Sequence, residues 1–128
     1  MSINSRQKGK RGELYVVRYF VDNGYDPDAR RGQQFAGGAD SPDVILPNIP
    51  KLHVEVKFAQ RINIYDAIKQ SIRDSGDLQV SSVWLRKKNE ELLVVLRAAE
   101  IDRFVSMWHH DVLTQEYYDR AILRTPEL

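Results

Sequence analysis

The residues best suited to chemistry lie in PDVILPNIPKLHVEVK, residues 42–57. Asp43, Glu55 and Lys57 stand there among residues that favour the interior of a sheet, where charges are rare unless partnered. LHVEVKF alternates with period two, so Leu52, Val54 and Val56 point one way and His53, Glu55 and Lys57 the other. Asp43 precedes Glu55 by 12 residues and opens a strand joined to that of Glu55 through PNIP, a turn whose two prolines cannot sit inside a central strand. A hairpin of this kind brings Asp43 to Glu55 and Lys57. Glu13, on a helix that must pack against the sheet, is a third carboxylate within reach. Three hard oxygen donors suit Mg²⁺, or Mn²⁺ in its place. A lysine beside such an ion is a fixed positive charge that stabilises a hydroxide or a pentacovalent phosphate. Metal-assisted hydrolysis of a phosphodiester needs this set.

The elements that must position these groups are legible from periodicity. A first helix is expected from about Lys10 to Asn23, with Gly24 as its C-terminal cap. Steps of 100° place Leu14, Val16, Val17, Phe20 and Val21 on one side, with Glu13 in the middle of that arc. An ionised carboxylate there is costly without a cation beside it. A short strand is expected at Ala29 to Arg31, then a glycine-bearing loop with Gly32, Gly37 and Gly38, then a strand from Asp43. Ile64 to Ser75 reads as a second helix with Ile64, Ala67, Ile68, Ser71 and Ile72 along its buried side. Residues 80–86 and 92–96 read as strands joined by a polar turn. A third helix starts near Ala98 and carries Ile101, Phe104, Val105 and Trp108 at helical spacing, and a further short helix falls in 111–128. The order is helix, three strands, helix, two strands, helix, which makes an α/β domain with a central mixed sheet.

Residue by residue, this pattern resembles the PD-(D/E)XK nuclease superfamily. Pro42-Asp43 stands where that family has PD, Glu55-Val56-Lys57 where it has E-x-K, and Glu13 where its first core helix carries an acid. Gly12-Glu13 and the approach from Arg30 through Gly32, Gly37-Gly38 and Ser41 to Pro42-Asp43 look like the Holliday junction resolvases of the superfamily. INIYDAIKQS at 62–71 and WLRKKNEELLVVL at 84–96 look like small phage and prophage relatives. The resemblance spans about residues 8–105, leaving a helical tail at about 106–128. It implies a restriction-endonuclease-like core and a Mg²⁺-dependent endodeoxyribonuclease selective for branched DNA such as a four-way junction, with roles in recombination and repair. The implied ligands are Asp43 and Glu55, with Glu13 completing or supporting the site, and Lys57 assists the water and the transition state. Gln70 takes the place of a glutamine that orients water or phosphate, although 63–70 departs from the archaeal resolvase pattern. The implied products carry a 5′-phosphate and a 3′-hydroxyl. Two symmetric cuts in a junction call for a two-fold homodimer. A nuclease for flaps or linear duplex, and a non-catalytic DNA-binding module with the same fold, are the alternatives.

Length and composition agree with a single soluble domain: 128 residues, 42% hydrophobic and 29% charged. Zero cysteines exclude disulfides and thiolate metal sites. No apolar run approaches the roughly 20 residues that span a bilayer, and no signal-peptide pattern follows the basic start, so a cytoplasmic setting, in a bacterial cell or phage-infected host, is expected, with no membrane and no small-molecule substrate. Residues 1–61 carry a net +3 and residues 62–128 a net −2. Arg6, Lys8, Lys10 and Arg11 form the densest basic stretch and, with Arg30 and Arg31, are the expected phosphate contacts. Recognition of shape is expected, since no recognition helix rich in Arg, Asn or Gln is visible. Arg86, Lys87 and Lys88 read as hairpin cap residues, His109-His110 as a helix-end pair, and Trp108, Tyr117 and Tyr118 as core or subunit contacts.

Overall fold

The computed structural model describes residues 5–32 and 43–113, with side chains from Gly9 onward. The glycine loop and Pro42, the tail beyond 113 with Tyr117 and Tyr118, and the side chains of Arg6 and Lys8 lie outside the described residues. The elements are α1 (Ser5–Asp22), β1 (Arg30–Arg31), β2 (Val44–Ile45), β3 (Leu52–Phe58), α2 (Ile64–Asp74), β4 (Val80–Arg86), β5 (Leu93–Leu96) and α3 (Ile101–Trp108). A 3₁₀ turn at Ala98–Glu100 leads into α3, and a π turn at His109–Leu113 follows it. The five strands form one sheet in chain order. β1, β2 and β3 are antiparallel neighbours, β3 and β4 are parallel, and β4 and β5 are antiparallel. The parallel pair follows from α2, which returns the chain to the edge where β3 began. The α/β class with a mixed central sheet is thus as the periodicity reads.

α1 starts at Ser5, five residues before its expected start, so the basic stretch belongs to its first turns. Its end obeys the expected cap. Gly24 has φ 71°, Gly24 N–H donates to Val21 O, and Tyr25 N–H reaches back to Phe20 O at 2.9 Å. This is a Schellman closure, completed by contact of the Tyr25 and Phe20 rings at 6.1 Å. Only glycine enters that left-handed position without strain.

Val16 and Phe20 of α1 are fully buried against Val44, Leu52, Val54 and Trp84. Each such side chain contributes about 1.5–3 kcal/mol by leaving water. Leu14 and Val21, placed on the same arc by sequence, are exposed. The opposite face of the sheet carries α2: Ala67 and Ile68 pack on Val83 and Leu85, and Ser71 Oγ donates to Ser82 O at 3.0 Å. Asn63 caps α2 by accepting Asp66 N–H, and Ile64 lies outside the contact. The face expected for α3 needs correction. Phe104 and Trp108 pack on the core, but Ile101 and Val105 are exposed and Met107 and Val112 are buried instead. α3 has apolar residues on more than one side, so its period alone does not choose which side meets the sheet. His109 and His110 stand at the end of α3, as expected, His109 being its C-cap, and enter the π turn that continues it.

Two devices fix the segment around Asp43. Asp26 is fully buried between the end of α1 and the β2–β3 turn; its carboxylate accepts Asp28 N–H, Asn48 N–H and Asn48 Nδ2. Ile49, inside PNIP, is fully buried, which anchors the turn in the core. Among the described residues, no helix is long and apolar enough to cross a membrane.

Candidate active site

The register decides which side chains meet. Residues paired across neighbouring strands share a face. Glu55 pairs with Val83 and Lys57 with Leu85, so Glu55 and Lys57 stand on the α2 side of the sheet. Val44 pairs with Val54, and both enter the α1-side core. Asp43, one residue earlier, therefore lies across from Glu55. One of its oxygens accepts Val56 N–H at 2.8 Å, which pins the side chain to the strand that carries Glu55 and Lys57.

This is a crowded anionic site. Asp43 and Glu55 are 9% and 4% exposed. Burial pushes the Asp43 carboxyl up to about 6, with the charge of Glu55 next in effect; the Val56 N–H works against the rise, Glu13 adds to it, and Lys57 opposes it. Lys57 Nζ stands 3.9 Å from Glu55 Oε1 and donates to Gln70 Oε1 at 2.9 Å. Gln70, from α2, thereby fixes the lysine, a partnership that explains why an amide sits at the edge of an apolar arc.

Glu13 reaches the group from the other layer. It is buried on the packed stripe of α1 with Val16 and Phe20, as its place in the apolar arc implies, and its Oε1 accepts Arg31 Nε at 2.9 Å. Gly12 lets α1 approach this closely, since a Cβ there would lie 2.9 Å from Phe58 Cγ. Among the described residues, no three His, Cys, Asp or Glu side chains form a group ready to hold an ion. The structure thus gathers a carboxylate pair, Asp43 and Glu55, while Glu13 nearby is engaged by Arg31. Mg²⁺ is commonly bound by one or two carboxylates plus waters and substrate phosphate oxygens, so the pair fits it. The raised Asp43 carboxyl reflects its burial first and the neighbouring charge of Glu55 second.

The expected phosphate contacts divide. Arg31 is engaged by Glu13, while Arg30, Lys10 and Arg11 are exposed. A cleft of about 300 Å³ opens beside Lys57, and Arg61, Asn63, Gln70 and Arg73 line it. Arg61 and Arg73 were not singled out from the sequence; only the fold sets them beside Lys57. His53 lies on the Glu55 face, where the period-two alternation places it. It is 2% exposed, and its Nε2 lies 3.7 Å from Glu55 Oε2 without a hydrogen-bond partner among the described residues. A larger cavity, about 610 Å³, lies elsewhere, against Lys51, Leu78 and α3.

No protein-family model matches the chain, and no curated protein or solved structure matches it either.

Proposed function

We propose that this chain is a metal-dependent endodeoxyribonuclease of the PD-(D/E)XK kind, with branched DNA as its substrate. The observation that carries the reading is the convergence, on one face at one end of a β-hairpin, of Asp43, Glu55 and Lys57, with the Asp43 carboxyl raised by burial and by Glu55. Glu55 lies 3.9 Å from the partly exposed Lys57, which is itself turned toward Gln70.

Asp43 and Glu55 would hold Mg²⁺, which when bound polarises a phosphoryl oxygen and lowers the pKa of a water. The chain's own residues supply the rest. Val56 N–H keeps one Asp43 oxygen fixed against the strand that carries Glu55 and Lys57. Lys57, restrained by Gln70, presents its ammonium to the nucleophile and to the charge that develops on phosphorus. Arg61 and Arg73 flank the cleft beside Lys57 and would take flanking phosphates. Glu13, paired with Arg31, adds negative potential from the opposite layer. A junction cut symmetrically requires two such sites, so the active form would be a two-fold dimer.

The test uses labelled four-way junction, flap and linear duplex with Mg²⁺ or EDTA. Expected is Mg²⁺-dependent cutting, greatest on the junction, that falls about 10²–10³-fold in Lys57→Ala while binding persists. Binding without metal-dependent cutting of any substrate would reduce the protein to a DNA-binding module. A flap or duplex ranked first would reassign the substrate.

A further inference from the structure

A second cleft lies beyond the end of β3, on the side of the sheet edge away from α2. Its volume is about 410 Å³, and its walls are Arg11 and Tyr15 of α1, Phe58 of β3, and Arg86, Lys87 and Lys88 at the β4–β5 turn. Ala59 and Gln60 complete the lining, and of the first six side chains four are cations. Among the described residues no acidic side chain lines the cleft. The other two are aromatic and pack edge to face, with ring centroids 5.4 Å apart. The Arg86 guanidinium lies 4.8 Å from the Tyr15 ring centre, and its Nε is fixed by donating to Glu90 O at 2.6 Å. Tyr15 is 42% exposed, and Arg11, Lys87 and Lys88 are exposed around it. Ala59 borders both this cleft and the one beside Lys57, so a single chain could pass from one to the other.

We propose that this cleft binds an unpaired nucleotide segment, with a base against Tyr15 and Phe58 and its phosphates on Arg11, Lys87 and Lys88. The argument is chemical. Cations alone would suit any polyanion. An exposed aromatic ring inside a cationic groove adds a flat apolar contact, which an unpaired base can use and a paired one cannot, because duplex grooves display only base edges. The guanidinium of Arg86, with its Nε bound to Glu90 O, adds a cation–π contact to the Tyr15 ring. Flaps, and crossovers whose pairing has been opened, are where such bases occur. The inference rests on the reading of DNA as the partner but not on cleavage.

The experiment is fluorescence anisotropy in EDTA, with a labelled twelve-nucleotide oligothymidylate and a labelled duplex of equal length. Tyr15→Ala is expected to weaken single-strand binding about 5- to 150-fold, the loss of one base–aromatic stack, and duplex binding less than twofold. Tyr15→Phe should restore it. Lys87→Glu with Lys88→Glu, both on an exposed turn and harmless to folding, should weaken binding and flatten the salt dependence by about 0.7 per lost phosphate contact. Equal losses on duplex and single strand, no loss in Tyr15→Ala, or equally tight Tyr15-dependent binding of polyglutamate would overturn the proposal. If Lys57→Ala and wild type bind alike through Tyr15 while neither cuts any substrate with Mg²⁺, the nuclease reading fails and this one stands.

Discussion

Without metal at neutral pH, Asp43 is ionised in a place that resists its charge, so removing that charge should stabilise the protein. The carboxyl is raised from 3.8 to about 6. That difference corresponds to about 3 kcal/mol between the folded and unfolded chain. The sign follows from proton counting. Between 3.8 and about 6 the folded state binds more protons at Asp43 than the unfolded state does, so this group favours folding at low pH and the advantage is lost as pH rises through the folded value. Asp43→Asn keeps an oxygen to accept Val56 N–H and loses the charge. In EDTA, the variant's stability minus that of wild type should rise from near zero at about pH 3 to about 3 kcal/mol above pH 7, or about 10 °C in Tm for a chain of this size. Urea unfolding across this range measures it, and other carboxylates cancel in the comparison. Mg²⁺ should narrow the gap, stabilising wild type by about 1.4 kcal/mol at tenfold its Kd and the variant hardly at all. Cleavage should be lost throughout. A difference that is independent of pH, or a variant less stable than wild type at pH 7.5, would refute the account of a carboxylate held ionised against burial and the charge of Glu55.

Gln70→Ala removes the only acceptor that turns Lys57 toward α2 among the described bonds; cleavage should fall about tenfold, less than in Lys57→Ala, with junction affinity unchanged in a gel-shift assay. Gly12→Ala sets a Cβ 2.9 Å from Phe58 Cγ and 3.2 Å from Phe58 Cβ, which the strand cannot withdraw. Its clash should outweigh the gain in helix propensity, lowering stability by about 1 kcal/mol in thermal unfolding. Asp26→Ala strips the acceptor from Asp28 and Asn48 and should cost about 3 kcal/mol, read in urea.

Much of this protein was determined by its sequence taken alone. The period-two run LHVEVKF, the prolines of PNIP and the glycine at 24 dictate β3, its hairpin with β2 and the end of α1, because each depends on backbone geometry or on one element's own alternation. The shared face of Glu55 and Lys57, and the meeting of Asp43 with Glu55, follow from that geometry. Tertiary structure decided what depends on neighbours distant along the chain. It paired Glu13 with Arg31 across 18 residues, gave Lys57 to Gln70, and set Arg61 and Arg73 beside the lysine. It also chose the side of α3 that is buried, and enclosed His53 beside Glu55. Periodicity reports the faces of one element; which side chain waits opposite each face is fixed by packing among elements, and no single segment contains that information.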